Sequence, residues 1–398
     1  MSVNHYDVAI VGGGMSGACL ALALSRLPLR VALLEATEPD VAHHPAFDAR
    51  AIALSAGSVD ALSRHGIWPL LAEQAEPITR IHVSDAGHLG QVRMAAQDYR
   101  LSALGQVIEL TTTGRALQQA LARAHNVDIY CPVTPVDLQP GVEAVSMTLE
   151  DGRALSTRLL VAADGGQSFV RDALKIPVTR HDFEQSALIA TVKTSEHPQG
   201  RAFERFTKGG PLALLPLPGG LSSLVWSVPR HEAPELADLP DAAFLARLQQ
   251  AFGWRLGRIE QTGPRHLYPL IMTQAPWPIG QRTVLLGNAA HLLHPIAGQG
   301  FNLGMRDIDQ LVLTLEEGLS RGELPGDHEM LRRYWGRRRQ DQQDTIWLTS
   351  ALAQLFSNDY APLVAGRNLG LSLMGHLSMM QRPLVAQTLG FGAAPSAH

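Results

Sequence analysis

The chain has 398 residues, 45% of them apolar and 18% charged, with a formal net charge of −4. That length and balance fit a globular protein of two to three domains, or one domain with a large insertion, and nothing in the charge points to a nucleic-acid surface. The two cysteines, Cys19 and Cys131, stand in no CxxC or zinc-type spacing, so neither a disulfide framework nor a metal site is expected and a reducing compartment fits. There is no signal-peptide pattern and no run of ~18 apolar residues, so the expected location is cytoplasmic, with peripheral contact to the inner membrane left open.

The first predicted elements form one unit. Tyr6-Asp-Val-Ala-Ile-Val11 has the β-branched, apolar character of a short buried strand. An apolar helical pattern follows through Leu20, Leu22, Ala23, Leu24 and Leu27, and a second strand, Arg30-Val-Ala-Leu-Leu34, ends on Glu35. At the strand-to-helix turn stands Gly12-x-Gly14-x-x-Gly17. Gly12 lets the chain turn sharply, Gly14 leaves room for a pyrophosphate against the backbone, and Gly17 lets the helix pack close to the sheet. The helix N-terminus offers unpaired N–H groups and partial positive charge to phosphates. Glu35, near the expected ~20 residues beyond the glycines, can accept hydrogen bonds from ribose hydroxyls and would repel a 2′-phosphate. The unit predicts dinucleotide binding without distinguishing NAD from FAD.

A polar loop with His43, His44 and Pro45 follows, and then Arg50, which reads equally as a surface charge or a phosphate partner. A helix is predicted from about Ser55 to His65. Residues 77–110 alternate turn signals with short strand-like runs, and Thr111-Thr-Thr-Gly-Arg115 caps a helix reaching about Ala124. Val127-Asp-Ile-Tyr130 is a strand, and 142–149 with 155–163 form a hairpin round Glu150-Asp151-Gly152. Residues 185–228 are a run of strands without helices, which predicts an antiparallel sheet inserted into an α/β domain. A helix at 240–252, one strand at 258–270, a return to parallel-sheet character at Thr283–Gly287 and helices at about 301–319, 327–356 and 362–389 complete the chain. The fold class is α/β: a discontinuous Rossmann-like domain (1–75, 111–180 and 271–320), an inserted antiparallel β-sheet substrate domain (76–110 and 181–270) and a helical C-terminal region (321–398).

Two more stretches bear on function. In Leu160-Val-Ala-Ala-Asp164-Gly165-Gly-Gln-Ser168-Phe-Val-Arg171 a strand ends on a carboxylate beside a glycine. Such a carboxylate can receive hydrogen bonds from a ligand; the plainer reading is a β-to-α turn with Ser168 as helix N-cap. The stretch from Val284 to Asp307 holds a strand, a Gly-polar turn (Gly287-Asn288), a rigid Pro295 and a Gly298-Gln299-Gly300 loop before a helix with Asn302. It brings bare backbone N–H groups and a helix N-terminus to one spot, a geometry that suits a flavin ring edge that becomes negative on reduction.

Together these stretches resemble the single-component FAD-dependent aromatic hydroxylases, over nearly the whole chain. The resemblance is strongest to the ubiquinone-biosynthesis hydroxylases, the branch acting on 2-polyprenyl-6-methoxyphenols, through Gly287-Asn-Ala-Ala290, His294–Asp307 and Gly200-Arg-Ala-Phe-Glu-Arg-Phe206. It implies bound FAD, with Gly12, Gly14, Ser16, Gly17 and Glu35 at the dinucleotide fingerprint. Asp164 and Gly165, with Arg171, would form a motif touching both FAD and the reductant. Asn288, Pro295, Gly298, Gln299, Gly300 and Asn302 would sit along the ribityl chain and flavin. Arg50 and Arg115 fall where the family has cofactor-contacting arginines, although Arg115 also reads as a plain surface residue. Asn288 stands where the wider family has Asp; its amide oxygen can still accept from a ribityl hydroxyl, without the charge.

The resemblance further implies NADH or NADPH as a transient reductant, in keeping with a single GxGxxG, and O2 as co-substrate. Reduced flavin would form a C4a-hydroperoxide that hydroxylates a hydrophobic polyprenyl phenol. Other ubiquinone-biosynthesis proteins are candidate partners. No proton-transfer residue can be named; His291 and His294 are candidates for relay or for structural donors, and Pro295 reads as a loop shaper. Phe203, Phe206 and Leu212–Leu215 read as ring pocket or as core. Leu369, Leu373, Leu377, Met380 and Leu384 form an apolar helical face, packed on the domain or docking to a partner or membrane. Arg332, Arg333 and Arg337–Arg339 spread round a helix and read as a solvated, ion-paired surface. Competing readings are a prenyl reductase or halogenase on the same fold, and a non-catalytic flavin-fold subunit. Ala275-Pro-Trp277-Pro-Ile279 lacks the halogenase Trp-x-Trp-x-Ile-Pro pattern, and the intact glycines weigh against the last.

Overall fold

The computed structural model describes residues 3–38, 50–88, 90–356 and 389–390. The chain opens with β1 (Asn4–Val11), α1 (Met15–Leu24) and β2 (Val31–Leu34), then β3 (Ala51–Ser55) and α2 (Ala56–Arg64). Next come β4 (Glu76–Ile78), β5 (Arg80–Asp85), β6 (Gln91–Ala95), β7 (Gly105–Glu109) and α3 (Leu110–Leu121). β8 (Val127–Tyr130), β9 (Pro135–Pro140), β10 (Val145–Leu149) and β11 (Ala154–Ala162) lead to the short α4 (Phe169–Ala173). A strand-rich part follows: β12 (Thr179–Thr194), β13 (Arg201–Thr207), β14 (Gly210–Pro216) and β15 (Leu221–Pro229), helices α5 (Ala233–Asp238) and α6 (Asp241–Phe252), then β16 (Ile259–Thr262) and β17 (His266–Gln274). β18 (Ile279–Gly280), β19 (Thr283–Leu285) and β20 (His291–Leu292) precede the long helices α7 (Gln299–Ser320) and α8 (His328–Phe356).

The first sheet runs β18-β19-β11-β1-β2-β8, with β2, β1, β11 and β19 parallel and β9–β10 attached as an antiparallel layer. Its strands read as continuous apolar runs because both faces are covered. Along β1, Val8 and Ile10 pack with α1, α3, α7 and α8, whereas Ala9 and Val11 pack with Met147, Leu149 and Val170 on the other side. Full burial of each such side chain is worth about 1.5–3 kcal/mol.

The second sheet runs β20-β17-β12-β15-β14-β13-β5-β6, with β16 on β12; it is antiparallel except where β13 meets β5. One face is covered by α6, whose Phe244, Leu248 and Phe252 pack on Phe203, Leu212, Leu214 and Trp226. The other face turns toward β3 and the 295–298 loop.

Several local expectations change. Residues 76–110 do not stay together: β5 and β6 join the large sheet, while β4 and β7 pair with β3, an unexpected strand, in a third small sheet. The strand expected at 258–270 is two strands, because Gly263-Pro264 interrupts the ladder where proline has no N–H to donate. Helix α3 starts at Leu110, and Thr113 donates its hydroxyl back to Glu109 O at 2.8 Å rather than Thr111 capping. The expected helix at 362–389, with the apolar face of Leu369, Leu373, Leu377, Met380 and Leu384, lies outside the described residues as far as 388, and Leu389 stands in a turn; His43, His44 and Pro45 lie outside them too. No described helix is long and apolar enough to cross a membrane.

Candidate active site

Strands β2, β1, β11 and β19 all end at one edge, at Leu34, Val11, Ala162 and Leu285. Open parallel sheets bind ligands in the crevice outside such carboxyl ends, and all three signature stretches emerge there. Gly12 has a φ of +102°, and a Cβ on it would stand 2.4 Å from Ala163 O, so the glycine turn lies directly on the Asp164 turn. A Cβ on Gly17 would stand 1.8 Å from Gly12 O, which is why α1 can lie so close to β1. Gly14 is the N-cap of α1 and supplies no side-chain bond, so the first-turn N–H groups have no side-chain cap. Glu35 accepts the Gly13 N–H at 2.6 Å and the Thr37 N–H at 2.9 Å, which holds its carboxylate beside the glycine turn.

Asp164 Oδ2 accepts the Val170 N–H at 3.1 Å, while Oδ1 is buried with no partner among the described residues. Burial raises this carboxyl above its ordinary range, against the hydrogen bonds that hold the ionised form. Ser168 caps α4, as the plainer reading of that turn expects, by accepting the Arg171 N–H at 3.1 Å. Arg171 is fully buried and donates to Gly166 O at 3.0 Å and Ala289 O at 3.2 Å. It therefore ties the Asp164 turn to the Gly287–Ala289 turn, and its enclosed guanidinium serves the protein rather than a passing reductant. Ser16 joins the first and third stretches: a Cβ on Gly287 would stand 2.7 Å from Ser16 Oγ.

In the third stretch Asn288 is exposed, Gln299 is buried, and Pro295 begins the turn that leads to Gly298. Gly298, at φ +61°, is the N-cap of α7 and gives that helix no side-chain cap, leaving the Gly300 turn's N–H groups without one. Asn302 differs from its expected cofactor role. Its amide donates to Ala53 O (2.9 Å) and Gly298 O (2.8 Å) and accepts from Ser55 N–H (2.8 Å) and the Ser58 hydroxyl (2.7 Å). All four bonding positions of the amide are used, so it fixes the loop to β3 and α2 and leaves only its backbone for a ligand.

His291 Nε2 lies 2.6 Å from Asp307, which also accepts from Arg338 Nε at 2.6 Å and Gln342 at 2.9 Å. Burial opposes ionisation of Asp307, but Arg338, His291 and these hydrogen bonds outweigh it and hold the carboxyl well below its usual range. Arg338 is thus a core residue, a correction to the solvated reading of the arginines on α8; Arg332 and Arg339 are exposed, and Arg333 and Arg337 pair with Glu323 and Glu317. His294 lies 3.3 Å from Gln185 Oε1 with its ring edge on Phe183, and burial pushes it down to about 4, so it is neutral near pH 7. The Nδ1 atoms of His291 and His294 are both buried without a described partner. The Arg50 guanidinium lies 4.9 Å over the Tyr268 ring, linking β3 to the large sheet, and Arg115 is exposed on α3.

The inward face of the large sheet closes the site. In register across five strands stand Val83, Glu204, Ala213, Val225 and Ile189, all keeping accessible surface in mid-sheet. Phe206, one step along β13, packs on Ile296 of the 295–298 loop. Phe203, Leu212 and Leu214 point to α6, so of the apolar residues expected at a pocket only Phe206, Ala213 and Leu215 lie on this side.

The family model for the FAD binding domain matches residues 5–347. The chain is 34% identical over 384 residues to ubiquinone hydroxylase UbiL of Rhodospirillum rubrum, covering 96% of this chain and 89% of that protein. It belongs to the FAD-binding aromatic hydroxylases. The 3-demethoxyubiquinol 3-hydroxylase of Escherichia coli is 32% identical over 396 residues, covering 98% of this hydroxylase and all of its relative. The crystal structure of p-nitrophenol 4-monooxygenase PnpA from Pseudomonas putida shares the fold, with a TM-score of 0.80 at 18% identity over 98% of this chain and 99% of that one. The hydroxylase is an FAD-dependent monooxygenase, and its residues fit the cofactor. The glycine turn has no room for side chains, two helix N-termini lack side-chain caps, and Asp164 Oδ1 is a buried acceptor awaiting a donor.

Proposed function

We propose that the enzyme hydroxylates the ring of a polyprenylated methoxyphenol in ubiquinone biosynthesis. The observation that carries this reading is the accessible row on the sheet face opposite the 295–298 loop, apolar except for Glu204, which suits a flat hydrophobic ring. The named activities of the ubiquinone hydroxylases at 34% and 32% identity support the pathway. In this reading Gly12, Gly14, Ser16 and Gly17 take the pyrophosphate and Glu35 the adenosine ribose. Asp164 Oδ1 accepts a hydroxyl of the cofactor, while Gly165, Asn288 and the Pro295–Gly300 backbone line its ribityl chain and ring. Bound FAD supplies the oxidation of NADH or NADPH and the activation of O2. The protein excludes water and orients the phenol. Arg50 stands across the cleft on Tyr268, and Arg115 is kept as an outer cofactor contact. A polyprenyl tail brings other pathway proteins and the membrane surface with it as partners.

The test is NAD(P)H oxidation in air by FAD-loaded protein, with and without a short-chain 2-prenyl-6-methoxyphenol, and product mass. Stimulated oxidation with one oxygen added to the ring is the expected result. Stimulation yielding only hydrogen peroxide would reject this substrate class.

A further inference from the structure

Strand β13 carries a carboxyl that the fold does not explain. Side chains alternate along a strand. Phe203 lies edge-on to Phe252, 5.4 Å between ring centres, and Arg205 donates to Ala251 O at 2.9 Å, so both face α6. Ala202, Glu204 and Phe206 therefore face inward. Ala202 packs with Leu217 and Leu389, and Phe206 with Ile296, so Glu204 sits between two apolar contacts that join the sheet to the cofactor side. Its lateral neighbours are Val83 on β5 and Ala213 on β14. The carboxyl is enclosed by protein, yet the residue keeps accessible surface; both hold if it lines an internal cleft. Among the described residues its side chain makes no hydrogen bond or ion pair.

We propose that Glu204 recognises the ring hydroxyl of the phenol, accepting its hydrogen bond and then its proton as the ring is oxygenated; this rests on the phenol-hydroxylase reading above. An ionised carboxylate is an acceptor only. In an apolar cleft it rewards a ligand that brings an O–H donor and penalises one that leaves it unpaired. In the proton step the phenol O–H bond breaks, its electron pair stays on oxygen, and a new O–H bond forms on Glu204. The ring becomes more nucleophilic, and the proton returns to the product hydroxyl. Burial pushes the Glu204 carboxyl up to about 7, near the value that suits a general base at neutral pH. Among the described residues, the charged or titratable groups on this side include Asp85 one step along β5, Lys193 two steps along β12 from Ile189, His266 at the far end of the row, neutral His294 on the loop, and Arg50 stacked on Tyr268.

The test uses FAD-loaded wild type, Glu204→Gln, Glu204→Ala and Glu204→Asp. Calorimetry gives Kd for a short-chain 2-prenyl-6-methoxyphenol and for the same ring without the hydroxyl, from about pH 6 to about pH 8, spanning the raised value, and turnover is measured on the phenol. Wild type should prefer the phenol, and the preference should fade as pH falls below about 7. The Ala variant should bind both rings alike at every pH; the Gln variant, whose neutral amide oxygen still accepts, should show a weakened preference that no longer changes with pH; both should lose roughly 100-fold or more in kcat/KM, with Asp restoring part. Flavin content and melting temperature identify correctly folded variants. If Glu204→Gln keeps the preference, its pH dependence and kcat/KM, the anchor is wrong while the phenol-hydroxylase reading stands. If wild type neither prefers nor hydroxylates the phenol, that reading fails and the anchor with it. Should the variants not fold, a wild-type preference that is flat with pH overturns the proposal.

Discussion

Replacing Arg171 with methionine asks whether one side chain holds two cofactor loops together. The guanidinium is fully buried, and the carboxylate it pairs with, Asp172 at 3.3 Å, is 65% exposed and well screened. Two hydrogen bonds from a charged donor, to Gly166 O and Ala289 O, are worth about 1.5–3 kcal/mol each, roughly 3–6 together. Methionine refunds part of this, because burying a cation costs several kcal/mol. The net loss is therefore about 1–3 kcal/mol. Both acceptors lie on loops at the sheet's carboxyl edge, so the loss should fall on cofactor binding more than on global unfolding. At 1.4 kcal/mol per factor of ten, FAD should bind about 5- to 150-fold more weakly. Titrating apoprotein with FAD by flavin fluorescence measures this, and Arg171→Lys, which cannot span both carbonyls as a fork, should fall between. If Arg171→Met binds FAD like wild type and melts at the same temperature, the staple reasoning is refuted.

Gly17→Ala forces a Cβ to within 1.8 Å of Gly12 O, so α1 must shift from the turn; protein that folds should retain little FAD, read from the flavin absorbance of purified protein. Asn302→Ala strips a partner from two buried groups, on Ser55 and Ser58, and from two half-buried carbonyls, at about 1–3 kcal/mol for each buried one, not additively, so a loss of roughly 2–4 kcal/mol is expected by urea unfolding. For Asp307 the sign follows from its lowered folded-state pKa. Its contribution is fully present above the unfolded value of about 4 and is lost as pH falls through the folded value. Asp307→Asn should therefore cost about 1–3 kcal/mol near neutrality, less than a fully orphaned buried charge because Arg338 keeps its ion pair with Asp341, with the gap to wild type narrowing below about pH 4. A gap that stays constant down to acid unfolding would contradict the assignment.

The parts legible in the sequence are those whose chemistry is local. The glycine turn, Glu35 at the end of the next strand, Asp164 beside Gly165 and the Pro295–Gly300 loop each declare themselves because residues a few positions apart share one turn. Short weak runs did not: β3 emerges only because β7 pairs with it, and that pairing draws β4 and β7 away from the large sheet. The same holds for single side chains. Five arginines on α8 look alike on a helix, and only packing against α7 singles out Arg338 for Asp307. Arg171 and Asn302 sit within the stretches that mark the cofactor site, yet each pairs a partner in its own turn with one more than a hundred residues away in sequence, so nothing nearby announces them as structural clamps. Glu204 is the extreme case. Alternation alone puts it on the same side as Ala202 and Phe206, but which side meets the cofactor edge, and that its neighbours there are Val83 and Ala213, depends on strand register. Local sequence determines turns, caps and face periodicity because those interactions span a few bonds; which face meets which is decided by burial of distant surfaces, a choice made only when the whole chain packs.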